Sequence, residues 1–249
     1  MKQSQSEFWC GAEYDAQYGE RYEQERAFLN SLVVQHRFRT GLDVCCGTGL
    51  LAIEMSNWLD QVVGIDISQP MLDYAKKKSF DVEHIQFVRG DATSFTLDAD
   101  FDLVVMTGNA FQAFLTDEDF GAMLQSVSRH MHAKSLFVFD TRLSGLSCTN
   151  TANYRDSYFT PMGEKVCING VQRVHESIEN TVIFDIQRDY QLGKTRRTTI
   201  ELRYRSVAEI ERSLAAAGLE LVMLYSDWSK SDFCDKSHTV VGIVKKKES

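Results

Sequence analysis

The chain has no pair of cysteines in CxxC spacing. Its six cysteines, Cys10, Cys45, Cys46, Cys148, Cys167 and Cys234, therefore outline neither a zinc site nor a dithiol redox motif, and no metal is expected. Free thiols in a reducing, cytoplasmic setting is the expectation. The opening residues MKQSQSEFW lack the apolar segment of a signal peptide. No apolar run approaches the roughly 20 residues of a membrane span, so no membrane partner is expected. A long basic block is missing too. The 35 acidic residues outnumber the 27 basic ones and give a net charge of −8, which argues against a nucleic-acid partner. The one short basic run, Lys245-Lys246-Lys247, reads as a solvated segment. Internal repeats and low-complexity stretches are likewise absent. What remains is 249 residues, 43% hydrophobic and 25% charged, enough for one α/β domain with an elaboration.

Short apolar runs alternate with helical patterns over the first 140 residues. Residues 13–35 read as one helix, with Tyr14, Tyr18, Tyr22, Phe28, Leu29, Leu32 and Val33 at roughly helical spacing. Strand GLDVC leads to helix GLLAIEMSNWL, strand VVGID to helix PMLDYAKKK, and strand IQFVRGD to a short connection. Strand DLVVMTG leads to helix DEDFGAMLQSVSRHM and then strand SLFVFD. Such alternation means βαβ units and a parallel sheet. From about residue 148 the pattern becomes strand-like, as in VQRVHESIENTVIFDIQRDYQ and TRRTTIELRYR, which read as hairpins over one edge or end of the main sheet. Helix VAEIERSLAAAG follows, with Gly218 as its cap. The last two strands, LELVMLYSDW and HTVVGIVKK, are joined by too short a loop for a crossover helix and must be antiparallel.

The most informative stretch is GLDVCCGTG, Gly41 to Gly49, followed by Asp66 in VVGIDIS. A strand runs into a glycine turn that opens a helix, and a second strand ends on a carboxylate. That combination offers backbone N–H groups at one end and an acceptor for two ribose hydroxyls at the other. Gly47-Thr48-Gly49-Leu50-Leu51-Ala52 satisfies the dinucleotide pattern GxGxxA, so an NAD-dependent oxidoreductase is one reading. Three features favour S-adenosylmethionine instead. Asp43 lies inside the first strand, where a dinucleotide fold has an apolar residue. A third strand ends in Gly90-Asp91-Ala92, with a carboxylate for an exocyclic amine and an N–H for a ring nitrogen. The chain also closes on an antiparallel hairpin.

These motifs, LDVCCGTG, GIDIS, GDA, FDLVVMTGN and the closing hairpin, resemble the class I S-adenosylmethionine-dependent methyltransferases, small-molecule branch. The resemblance covers nearly the whole chain. YDAQYGER, GNAF and the Asp140-Thr141-Arg142 triplet are similar to the glycine N-methyltransferase-like group. The resemblance implies a Rossmann-like, seven-stranded, mostly parallel sheet with an antiparallel final hairpin, plus a small antiparallel β insertion. Residues 1–147 and 206–249 would form the methyltransferase domain, and 148–205 a β-rich cap on the acceptor side. It further implies that Asp43, Cys45 and Gly47 line the methionine end and that Gly49 permits tight packing. Asp66 would hold the ribose, Ile67 the adenine face, and Asp91 with Ala92 the adenine edge. Tyr14 and Arg21 would fall where an N-terminal helix closes over the cofactor, with Arg21 able to grip a carboxylate bidentately. Cys45 departs from the family's first turn glycine. Having a Cβ, it is expected to hold an unstrained φ. Ala133-Lys134-Ser135 stands where a Pro-Gly-Gly turn is common.

Methyl transfer from a sulfonium needs proximity and alignment more than a protein nucleophile, so no triad is expected. Acceptor-facing residues should follow the fourth and fifth strands at the carboxyl edge of the sheet. That selects Thr107, Asn109, Phe111 and Gln112, then Asp140 and Arg142, with Thr107 also counted among the cofactor contacts. Asn109 and Arg142 are the catalytic candidates, and Arg142 suggests an anionic group on the acceptor. Trp228 and Asp227 are further candidates at the break in the final hairpin. His130 and His132 read as helix-end cations, while His175 and His238 are possible bases. The leading expectation is methylation of a small-molecule amine, carboxylate or hydroxyl by a monomer or homodimer. A non-catalytic S-adenosylmethionine-binding module is the third reading, motivated by Cys45 and the lack of an evident base.

Overall fold

The computed structural model describes residues 8, 10–19, 23–143 and 151–247. Arg21, Cys148 and the start of the expected insertion at 148–150 lie outside the described residues.

Five strands, β1 (Thr40–Val44), β2 (Gln61–Asp66), β3 (Ile85–Arg89), β4 (Phe101–Met106) and β5 (Met131–Arg142), run parallel. The last two strands of the chain, β10 (Leu219–Tyr225) and β11 (Thr239–Lys246), form an antiparallel pair, and β11 lies antiparallel beside β5. The seven-stranded order is β10-β11-β5-β4-β1-β2-β3, so the expected fold is the one observed. Strands buried on both faces read as continuous apolar runs, and β4 and β5 show why. Val104, Met106, Phe137 and Phe139 pack beneath α5 (Asp117–Arg129) and α6 (Val207–Ala216). Their neighbours Leu103, Val105, Leu136 and Val138 pack beneath α2 (Glu23–His36) and α3 (Leu50–Met55).

This alternation fixes where the polar residues of the strands point. Leu42 and Val44 belong to the first face, so Asp43 lies on the second, under α2 and α3. Asp140 follows Leu136 and Val138 by the same period of two, and shares that face.

The single helix expected over 13–35 is two helices, α1 (Gly11–Tyr18) and α2. A 3.6-residue period survives such a break, because each piece continues to bury its own apolar stripe. The strand-like region forms a separate sheet rather than hairpins on the main one: β6 (Ala152–Phe159), β7 (Lys165–Val174), β8 (Thr181–Tyr190) and β9 (Thr195–Arg203), antiparallel in that order. Its inner face carries Tyr158, Val166, Ile168, Ile186 and Tyr190. It is anchored at one end by Arg203 and Arg205. Their guanidinium groups donate to the carbonyls of Leu115 and Thr116, and both reach the Asp117 carboxylate. Helix α6 starts with a Ser206–Glu209 capping box. It ends before Gly218, whose φ of 73° takes the left-handed position that glycine fills best.

Candidate active site

The carboxyl edge of the parallel strands gathers most of the predicted site. After β1 the chain turns through Cys45, Gly47 and Gly49, all at positive φ (63°, 54° and 71°). The unstrained φ expected for Cys45 is therefore wrong. It occupies the left-handed region, and its N-terminal neighbours in β1 and the bond from Cys46 N–H to the Ile65 carbonyl (2.9 Å) hold it there. A Cβ on Gly49 would meet the Phe87 ring at 2.5 Å, so close packing against β3 excludes any side chain. A Cβ on Gly47 would meet nothing within 4 Å, leaving open space above the turn.

Asp66 closes β2 and is fixed to that turn. One carboxylate oxygen accepts the Gly47 N–H and the other accepts the Ser68 N–H, both at 2.8 Å. Burial raises its pKa, and the backbone donors of Ser68, Gly47 and Ile67 oppose the rise. A carboxylate has about four lone-pair directions, so room for two hydroxyls remains. Ile67 follows, half-buried. Beyond β3, Asp91 Oδ1 accepts the N–H and hydroxyl of Thr93 at 2.9 and 2.8 Å. Ala92 beside it is buried. Ribose, adenine-edge and methionine groups thus have candidate partners on β2, β3 and β1, three adjacent strands. Open space over Gly47 and the spare capacity of Asp66 fit S-adenosylmethionine.

The end of β4 is strained: Gly108 and Asn109 both take positive φ (68° and 61°) after half-buried Thr107. Asn109 donates its N–H to Asp140 Oδ1 at 3.0 Å, which ties the β4 loop to the end of β5. Asp140 is 9% exposed. Burial pushes its pKa up to about 6, against the Asn109 N–H and Arg142. Phe111 stacks on Phe139 (4.2 Å between centroids), a core role. Gln112 is fully buried with neither amide atom hydrogen-bonded among the described residues. Arg142 is exposed. Asp43 is 3% exposed, and burial together with Asp66 raises it to about 8.

Sequence reading missed Glu25. It lies on α2, 7% exposed and raised to about 8 by burial, then by Asp140 and Asp43. The signal was present, because Glu25, Phe28, Leu29 and Leu32 share one helix face. Glu13 and Asp15 of α1 were missed as well. Asp15 accepts hydrogen bonds from Thr48 in the glycine turn and Lys78 in α4 (Gln69–Lys78). Glu13 accepts from the Tyr158 and Tyr190 hydroxyls, both at 2.6 Å. Tyr14 lies on the same helix, stacked at an angle against Tyr18 at 4.8 Å.

The histidines serve structure. The His130 ring is buried on Phe95, accepts the Leu97 N–H at Nε2 and meets the Ser126 carbonyl with Nδ1. That pattern is a neutral tautomer, not the expected helix-end cation. His132 lies in β5 and contacts Asp102 at 3.0 Å. His175 Nδ1 accepts two turn N–H groups, and the His238 carbonyl caps Leu143. Asp227 shapes a turn by accepting the Ser229 and Ser231 N–H groups. Trp228 packs edge-on against Phe28 at 5.3 Å. Among the described residues no His, Cys, Asp and Glu cluster suits a metal, and no helix is long and apolar enough to cross a membrane.

Residues 42–134 match the model of a methyltransferase domain family. The chain is 26% identical over 217 residues to a cypemycin N-terminal methyltransferase from Streptomyces sp, covering 84% of this chain and 83% of that protein. Among solved structures, an S-adenosylmethionine-dependent methyltransferase from Clostridium acetobutylicum superposes with a TM-score of 0.81 at 19% identity, covering 94% of this chain and 96% of the other. An amino pentose methyltransferase from Micromonospora echinaspora gives 0.77 at 18% identity, covering 94% and 96%. At such identities the two structures speak for the fold.

Proposed function

We propose that the chain is a class I S-adenosylmethionine-dependent methyltransferase, which the methyltransferase-domain match and the similar proteins support, and that the group it methylates is the amine of a small molecule. The dinucleotide reading of GxGxxA gives way to this. One observation carries the proposal. Asp140, held by the Asn109 N–H at the junction of β4 and β5, keeps a carboxyl whose pKa is pushed to about 6. An ammonium must lose a proton before its nitrogen can attack, and a base titrating near neutrality is suited to accept it. A carboxylate acceptor is disfavoured, since it would have to enter beside the buried Asp140 carboxyl. A hydroxyl, far less acidic than an ammonium, would need a stronger base.

When bound, the cofactor supplies an electrophilic methyl group on a sulfonium. The chain's own residues then have these roles. Asp66 would accept from the ribose hydroxyls with Ile67 against the base, and Asp91 with Ala92 would read the adenine edge. Asp43, Cys45 and Gly47 would line the methionine end, with Thr107 as a further cofactor contact. Tyr14 closes from α1. Asn109 orients the amine, Asp140 takes its proton, and Arg142 meets an anionic substituent of the acceptor at the rim. Sheet β6–β9, within the insertion 148–205, caps the acceptor side. A similar protein, the cypemycin N-terminal methyltransferase, supports an amine.

Transfer of a radiolabelled methyl group to panels of amines, alcohols and carboxylic acids tests the reading. Label should appear on nitrogen. Asp140→Asn should lower kcat/KM by about 100-fold, with the loss in kcat larger than any change in cofactor affinity. Label on oxygen, or full activity in Asp140→Asn, would refute it.

A further inference from the structure

Glu25 is placed as no structural carboxylate should be. It stands in the first turn of α2 on the helix face that buries Phe28, Leu29 and Leu32. Its Oε2 has no hydrogen-bond partner among the described residues, although the side chain is buried. Trp228, packed on Phe28 from the hairpin side, acts against the rise in the Glu25 pKa. Below it, β1 and β5 turn Asp43 and Asp140 toward the same helix. The other charged groups nearby do little to neutralise these three. Arg26, next on α2, leans to Glu54 at 3.7 Å, Lys230 lies over the Phe28 ring at 5.3 Å, and Arg142 bears on Asp140 from an exposed position. Asp66 adds negative charge next to Asp43. Among the described residues no ion pair reaches Glu25, Asp43 or Asp140. Buried carboxyls grouped in this way tend to retain protons unless a cation enters beside them, and the unpartnered Glu25 Oε2 is available to accept from one.

We propose that Glu25 senses the charge on the cofactor's sulfur: it gives up its proton when the sulfonium enters the cup and retains it beside the neutral thioether of S-adenosylhomocysteine. The cup thereby favours cofactor over product. This rests on the assignment of Asp43 to the methionine end and is independent of the acceptor. S-adenosylmethionine carries one more positive charge than S-adenosylhomocysteine, and an added cation lowers the pKa of a neighbouring acid. Free Glu25 and Asp43, both raised to about 8, hold protons at neutral pH. Cofactor binding therefore releases protons, and its affinity rises with pH up to about 8. Removal of the sulfonium charge by methyl transfer returns the proton to the cup and loosens the product.

Calorimetric titration at pH 7, in buffers of different ionisation enthalpy and without acceptor, tests this. S-adenosylmethionine should release about one proton more than S-adenosylhomocysteine. Sinefungin, with a cationic amine in place of the methylsulfonium, should follow S-adenosylmethionine. Glu25→Gln, which mimics the neutral acid, should reduce the extra proton release and cut the preference for cofactor over product about tenfold. Equal proton counts for the two ligands, or an unchanged preference in Glu25→Gln, would overturn the proposal. Should Glu25→Gln fail to fold, the wild-type pH series from 6 to 9 decides: parallel affinity profiles for the two ligands overturn it. Because no acceptor is present, failure here leaves the amine reading standing, and failure of the amine panel leaves this one.

Discussion

Cys45 holds a φ of 63°, where a residue with a Cβ is strained by roughly 1–2 kcal/mol and glycine is not. Part of that strain should be recovered in Cys45→Gly, offset by the greater backbone freedom of glycine when unfolded. The expected outcome is a gain of about 0.5–1 kcal/mol, or roughly 1–4 °C in Tm for a chain of this size. Cofactor affinity should stay within about threefold. A thermal melt and a titration check both numbers, and a lower Tm would mean that packing of the thiol against the core outweighs the strain. The sequence showed the departure from glycine but not its cost, because φ at one residue is imposed by the turn around it. Glu25 is the converse case. Its place in the apolar stripe was readable from spacing, yet nothing local says that Asp43 and Asp140 point toward it.

Helix α1 has few means of its own to stay in place: it is eight residues long, and its N-cap residue makes no side-chain capping bond. Isolated helices of that length are marginal in water. It is held from three sides instead. Asp15 binds the glycine turn and α4, Glu13 takes hydroxyls from β6 and β8, and Gly11 packs so tightly on Tyr74 that a Cβ would approach to 2.6 Å. The helix therefore links the cofactor turn to the four-stranded sheet. Hydrogen exchange over residues 10–18 should slow when S-adenosylmethionine binds. The pair Tyr158→Phe with Tyr190→Phe should speed it and weaken cofactor binding several-fold, since each lost hydroxyl bond to a carboxylate is worth about 1.5–3 kcal/mol locally. Exchange that ignores both ligand and mutation would reduce α1 to packing. This linkage was out of reach of periodicity, which merged α1 and α2 into one helix. The four strands of the insertion were visible as alternation, but not as a sheet of their own.

Folding stability of the whole molecule should bear the mark of its buried acids. The pKa values of Glu25 and Asp43 rise from ordinary carboxylate values to about 8 on folding. The native state then binds more protons than the unfolded chain between about pH 4 and 8, so stability falls as pH rises through that window. Tm of the ligand-free protein should decline steadily from pH 5 to 8, and Asp43→Asn should flatten the decline. A Tm that climbs over this range would contradict the burial of these groups as neutral acids. Sequence alone determined the order of strands and helices, the glycine turn, the acidic residue closing β2 and the antiparallel ending. Each of these follows from the local rules of a twisted, doubly covered sheet, and such rules act over a few residues. Tertiary structure decided what surrounds the reacting region. Glu25, Asp43, Asp140 and Trp228 are brought together from distant parts of the chain. Their ionisation depends on burial and mutual field, quantities that exist only once the chain has closed around them.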